Sequence, residues 1–331
     1  MLWIATAIIT SFIALAAAPK AGAQYYATMQ LEEKTVPVGD FTGINATDDF
    51  EITLSKGPCG AKVTCDKMLA PYVQVYVRSR VLYVTYDQKA VPKDVRKLYK
   101  GGRNAVKPIF RIQVSLPALE AVELTENASL VSADLFDGAQ PVINLTDKSQ
   151  IKNLNISANG ATVTLKKNAQ ATLSLKAINK IELKTEANAN LKASTQCHDL
   201  IAEAAGQSEQ ALTAEGENAS LTATGSAKMA VSHKGRKMVV QMGASADIAL
   251  TGEGEELVIR GERNAELEAG GFTAQQVDAS LSGSSEANVS VVKLLDATLI
   301  GGSELYYTGT PEFRIGKVIK STLAPYGATA K

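Results

Sequence analysis

The chain has few of the residues from which catalytic and metal sites are most often built. Its only two histidines, His198 and His233, are 35 positions apart with no HExxH or CxxC spacing, which leaves zinc chemistry and histidine triads without support. Aromatic residues make up 5% of the sequence, and between residues 120 and 300 only Phe136 and Phe272 occur. That region has neither a thick aromatic core nor a ring-lined sugar cleft. Lysine plus arginine and aspartate plus glutamate are balanced at 34 each, so no global field draws the chain to nucleic acid or to an anionic membrane. Glycine-rich spots such as Gly270-Gly271 and Gly301-Gly302 lack the strand, lysine and helix context of a phosphate cradle and read as corners. No cofactor is implied.

After residue 23 no apolar run is long enough to cross a membrane as a helix. Residues 2–18 are apolar apart from Thr and Ser, and Ala21-Gly22-Ala23 supplies the small residues of a signal-peptidase site, predicting cleavage after Ala23. The run lacks a positive flank and nearly suffices to span a bilayer, so a retained anchor is the alternative. The expected location is periplasmic, outer-surface or secreted. In such a compartment Cys59 and Cys65, six apart around a Gly-Ala turn, are allowed to form a disulfide. Cys197 reads as a small buried hydrophobe of a repeat wall.

What the chain does have is a repeat. Ala or Ser recurs at Ala128, Ser149, Ala169, Ala189, Ser208, Ala227, Ala246, Ala265, Ala287 and Ser303, a mean step of about 19 residues. Six positions before each lies an apolar residue, from Val122, Ile143 and Val163 to Leu281 and Ala297. Even offsets from the small residue are apolar and odd ones mostly polar, as with Glu123, Thr125, Lys184 and Glu186, the period that turns one strand face to a core. Each unit reads as strand, corner, strand, with Asn127, Asn168, Asn188 or Asn264 at corners where a left-handed backbone is expected. One such strand pair cannot bury its face alone, so neighbouring units must stack. The expected fold is all-β, a right-handed parallel β-helix or solenoid with a β-rich N-terminal head. A signal peptide at 1–23, a head at 24–118, repeats at 119–312 and a tail at 313–331 are the expected divisions.

The head opens with Phe41-Thr42-Gly43-Ile44-Asn45, continues through Asp49-Phe50-Glu51-Ile52 and a Gly57-Pro58 turn, and closes with the strand Ile112 to Leu119. Tyr72 to Tyr86 reads as two strands around Arg78-Ser79-Arg80. With Gly301-Gly302-Ser303-Glu304-Leu305-Tyr306-Tyr307-Thr308-Gly309-Thr310-Pro311 near the end, these segments resemble the auto-transporter adhesin family with a head GIN domain, common in Bacteroidetes. The resemblance spans nearly the whole mature chain and rests on structural motifs. It implies an exported β-helical protein and supplies no catalytic residues.

Three sets of residues are candidate sites. The segment from Lys93 to Lys107 is basic, and reads as a solvated, mobile loop or, with Lys97, Lys100 and Arg103 beside Tyr99, as a site for an anionic glycan or lipopolysaccharide phosphate. Tyr306 and Tyr307 offer rings for sugar stacking in the last repeat. Asp247 and Glu266 fall one place after the small residue in successive repeats, in a row that also holds Glu209, Lys228, Asn288 and Glu304; they are a candidate acidic pair for a β-helical lyase or glycoside hydrolase, or ordinary charge balance on a solvated face. The expected function is a non-enzymatic adhesin-like protein that binds a glycan or a surface protein. A polysaccharide-degrading enzyme and a self-assembling module with uncapped strand edges are the alternatives.

Overall fold

The computed structural model describes residues 30–99 and 107–327. The expected signal peptide, Lys100 and Arg103 lie outside them. In the head, β1 (Leu31–Val36), β2 (Gly43–Ala46), β3 (Glu51–Lys56), β4 (Gly60–Asp66), β5 (Val73–Arg78) and β6 (Val81–Tyr86) precede a short helix, α1 (Lys93–Tyr99), and β7 (Phe110–Leu116). The coils then begin with β8 (Ala121–Leu124) and β9 (Ser129–Gly138). The chain is a parallel β-solenoid of about 11 turns.

Two walls of parallel strands run along the axis. The residues expected to face a core do stack in register: Val122 opposes Ile143, then Val163, Leu183, Ala202, Leu221, Val240 and Ile259 follow one above another, and all are buried or nearly so. The column goes on through Ala279 and Ala297. This corrects the repeat assignment near residue 285. Glu266 pairs with Glu286 and Leu267 with Ala287, which sets Ser285 above Ala265, so Ser285 is the small corner residue and Ala287 lies two places beyond it. That coil has 20 residues, one more than the coil before it and two more than the coil after it, a slip that an average spacing conceals.

The small column, from Ala128 to Ser303, is buried to 1% exposure or less, because it packs just inside a corner where a longer side chain has no room. The left-handed residue of the corner is one place earlier than the asparagines. Glu126, Asp147, Lys167 and Ala187 have φ of 57°, 64°, 61° and 62°, and Gly206 and Gly225 take the same place in later coils. The strain of a non-glycine residue there is offset by peptide bonds stacked along the axis: the N–H groups of Lys148, Asn168 and Asn188 donate to the carbonyls of Glu126, Asp147 and Lys167 at 2.7–2.9 Å. Asn188 Nδ2 donates to Asn168 Oδ1 at 3.4 Å, so these two asparagines stack at the corner, while Asn127 Nδ2 donates to Asp49 Oδ1.

The head shares the coils' sheets. β2 pairs in parallel with both β6 and β8, and β3 with both β7 and β9. Outside these, β5 runs antiparallel to β6, and β4 to β7 and β1. The β5–β6 hairpin turns at Ser79 and Arg80, both left-handed, as the two-strand reading of Tyr72 to Tyr86 expected. Phe41, Phe50 and Phe110 fill the end of the core at 3% exposure or less. At the other described end, Glu312–Ile319 and Thr322–Pro325 form a further coil.

The disulfide that the sequence allows is absent. Cys59 and Cys65 are free and stand at opposite ends of β4, and six extended residues span about 20 Å where a bridge needs Cα atoms within about 7 Å. The Cys59 thiol instead donates to the Phe41 carbonyl at 3.4 Å, while Cys65 sits in the core, where burial pushes its thiol up to about 11.

Candidate functional site

A groove of about 640 Å³ runs along the solenoid axis at the second bend of each coil. Its floor is Gly138, Ala158, Ala177, Cys197 and Gly216, one residue per coil. The floor is shallow for a backbone reason. A Cβ at Gly216 would lie 2.0 Å from the Cys197 carbonyl oxygen, and one at Gly138 would lie 2.5 Å from that of Leu119. Beside the floor runs a polar row, Asp137, Ser157, Lys176, Gln196 and Glu215, whose members pair strand to strand and so recur about every 4.8 Å. Across the floor stand Asn159, Ile178 and His198, with Ile178 71% exposed.

His198 is the most connected side chain on the rim. Its Nδ1 lies 3.1 Å from Asp199 Oδ1 and its Nε2 2.8 Å from Glu217 Oε2, while Arg236 reaches Glu217 at 3.3 Å. The bond to Asp199 and then that carboxylate's charge raise the imidazole's pKa, and Asn218 and His198 hold Asp199 below its ordinary value. Both ring nitrogens face carboxylate oxygens, so His198 serves as a clasp between Asp199 and Glu217 rather than a free base. Cys197 is 6% exposed, its thiol pushed up to about 11 by burial and donating to the Asp199 carbonyl, the inert wall residue expected from its sequence.

The residues singled out in the sequence are not brought together. Lys97 is on α1 with its side chain 80% exposed and 4.0 Å from Asp94. Tyr306 and Tyr307 lie about nine strand spacings further along the axis, on the order of 45 Å. Tyr306 donates to Glu304 at 2.6 Å, and the Tyr307 ring packs edge-on against Phe313 at 5.1 Å. Asp247 and Glu266 are opposite neighbours on adjacent strands, but the row continues with Glu286, not Asn288, and then Glu304. Burial and the nearby Glu304, Glu266 and Glu268 raise the Glu286 pKa. Neither Asp247 nor Glu266 lines the groove. Among the described residues no three His, Cys, Asp or Glu side chains gather as metal ligands, and no helix is long and apolar enough to cross a membrane. The groove itself was missed in the sequence; the small floor column every 19 or 20 residues, rimmed by one polar residue per coil, was its available signal.

Stacked coils with a shallow flank groove define the class: a parallel β-solenoid that presents side chains at a fixed axial repeat. Within that class, the family model described as "Putative auto-transporter adhesin, head GIN domain" matches residues 40–213 and 153–311, and the chain belongs to this family. Similar solved structures include a "putative adhesin" from Parabacteroides merdae, 17% identical, covering 91% of this chain and 98% of that one with a TM-score of 0.37. Others are a "putative lipid binding protein" from Parabacteroides distasonis (17% identical, 91% and 98% covered, TM-score 0.32) and a "putative adhesin" from Bacteroides fragilis (15%, 91% and 99%, 0.31). No curated protein sequence matches the chain.

Proposed function

We propose that the chain is a non-enzymatic, exported cell-envelope or surface adhesin that holds a linear glycan along the flank of its solenoid. The observation that carries this reading is the groove: about 640 Å³, crossing five coils, with one polar rim side chain at each strand spacing. A polymer whose repeat is close to that spacing, as in a linear pyranose chain, meets an equivalent rung at every unit. Asp137, Lys176 and Glu215 alternate in sign with Ser157 and Gln196 between them, which suits hydroxyl groups better than a polyanion. Family membership supports surface recognition as the general role.

The test is a glycan array with residues 24–331, run beside Ile178→Glu, which alters an exposed groove residue, and beside a triple variant with Lys97, Lys100 and Arg103 changed to Ala. Binding lost in Ile178→Glu alone supports the groove. Loss only in the triple variant moves the site to the basic segment of the head. Selective binding unaffected by either, or cleavage of a bound glycan, overturns the proposal.

A second reading, self-association, is favoured by the last described coil. Phe313, Ile315 and Val318 continue core positions, since Phe313 pairs with Leu295, Ile315 with Ala297 and Val318 with Leu299, yet they are 40–46% exposed. Light scattering across a concentration series, with Ile315→Lys as control, tests it; a monomer at all concentrations removes this reading.

A further inference from the structure

We infer that copies of the chain join head to tail, the strand Glu312–Ile319 of one copy adding to the free edge of β5 in the next. The inference rests on the self-association reading and gives it a surface and a partner. Both strands end the same wall. β6 pairs in parallel with β2 and β2 with β8, and parallel pairing continues through the coils to Glu312–Ile319. At the head, β5 runs antiparallel to β6 and closes the series. Among the described residues neither strand pairs on its outer side, so each offers a row of N–H and C=O groups to a further strand. A copy that continues the wall in the same sense brings β5 antiparallel to Glu312–Ile319.

The side chains fix the register. Phe313 placed opposite Val77 sets Ile315 opposite Val75 and Val318 opposite Val73. All six are core-side residues: in β6, Leu82 and Val84, the partners of Val77 and Val75, are buried. β5 has one residue, Gln74, between Val73 and Val75, against Gly316 and Lys317 between Ile315 and Val318. The same extra residue is already taken up as a bulge where this strand pairs around Thr298. On the outer side the register sets Glu312 opposite Arg78 and Arg314 opposite Tyr76. Among the described residues neither Glu312 nor Arg78 has an opposite charge within 4.0 Å. Tyr76 is 45% exposed and stacks on Tyr83 with 5.2 Å between centroids and 9° between planes, which leaves its other face open at the sheet edge to a guanidinium. A shift of two residues either way loses one apolar pair and separates Glu312 from Arg78.

The second wall is guarded at both ends. Its head edge is β1, whose Glu32 and Lys34 stand opposite the buried Cys65 and Val63 and so put charge on the core side. Its other edge is the four-residue strand Thr322–Pro325, which ends in proline. At the head this wall also runs one strand further, through β7, β4 and β1 against β6 and β5, so copies joined by the first wall meet at an angle. The contact is heterologous: each added copy brings a new free edge, and the product is a filament or a ring rather than a closed dimer.

The test is sedimentation velocity with light scattering on residues 24–331 from about 10 μM to about 1 mM, the range suited to a contact of one strand pair. Species larger than a dimer are expected to grow with concentration. Arg78→Glu and Glu312→Arg should each weaken association about tenfold, because each sets like charges opposite one another. An equimolar mixture of the two variants, in which contacts between unlike copies again join opposite charges, should restore it. Circular dichroism confirms that both variants fold. A monomer at every concentration removes the self-association reading and this contact together. Assembly that stops at the dimer, that Arg78→Glu leaves undiminished, or that the mixture fails to restore keeps self-association and overturns the head-to-tail contact.

Discussion

The two described ends of the solenoid solve the same problem differently. At the N-terminal end, chain reversal at β4 and β5 lays antiparallel strands over the first coils, and Phe41, Phe50 and Phe110 close the core. At the other, the strand Glu312–Ile319 runs parallel to the last full coil, and side chains of the same apolar kind are about half exposed. The apolar pattern is alike at both ends. What differs is whether another layer covers it, and that decides how much each residue contributes to stability.

The comparison is sharpest in substitutions that remove a large side chain. Phe110→Ala, inside the cap, should cost about 3–5 kcal/mol in urea unfolding, against less than about 1 kcal/mol for Phe313→Ala at the open end. Equal costs would show that the end coil is covered in solution. In the middle, Gly216→Ala should cost about 1–3 kcal/mol, since its new methyl group meets the Cys197 carbonyl. The open end offers a contrast at Gly327, where a Cβ meets nothing within 4 Å, although its left-handed φ of 80° keeps a smaller cost there.

The histidines give a smaller effect with opposite signs. His233 is 2% exposed, both ring nitrogens lack hydrogen-bond partners, and desolvation lowers its pKa, with the nearby Ala214 carbonyl opposing in part. The unfolded chain therefore binds a proton that the folded chain refuses, and stability falls as pH drops below about 6.5 toward the folded value. His233→Met should flatten that fall and leave stability at neutral pH nearly unchanged, because it replaces two unpaired polar atoms with apolar ones of similar volume. His198, whose folded pKa is raised, stabilises in its charged form below about 6.5 and loses that contribution as pH rises through the folded value. His198→Gln should remove this opposing trend. Unfolding midpoints at several pH values check both, and a variant of either histidine with the parent's pH profile would count against its assigned role.

The repeat made the solenoid legible, since apolar residues at even offsets from a small residue admit few other folds. The slip at Ser285 was not, because one added residue disappears in a mean spacing of about 19. The asparagines marked the corners, but the left-handed residue just before them is Glu126, Lys167, Ala187 or Arg263. Axial peptide bonds hold it there, and these join residues about 20 apart. The candidate residues were read from local charge and aromaticity, which say nothing about distance; Lys97 and Tyr306 are separated by nearly the length of the coils. Asp49 and Asn127 meet across 78 residues of sequence because β2 stacks on β8.

The sequence alone determined the class of fold, the coil length, the core face of nearly every strand and the family, because period and side-chain size are local properties that stacking only repeats. The tertiary structure decided the groove, the free edge of β5, the fate of Cys59 and Cys65 and the exposure of the last coil. Each of these depends on what lies one strand spacing away along the axis, a neighbour some 20 residues distant in the chain that no local pattern names.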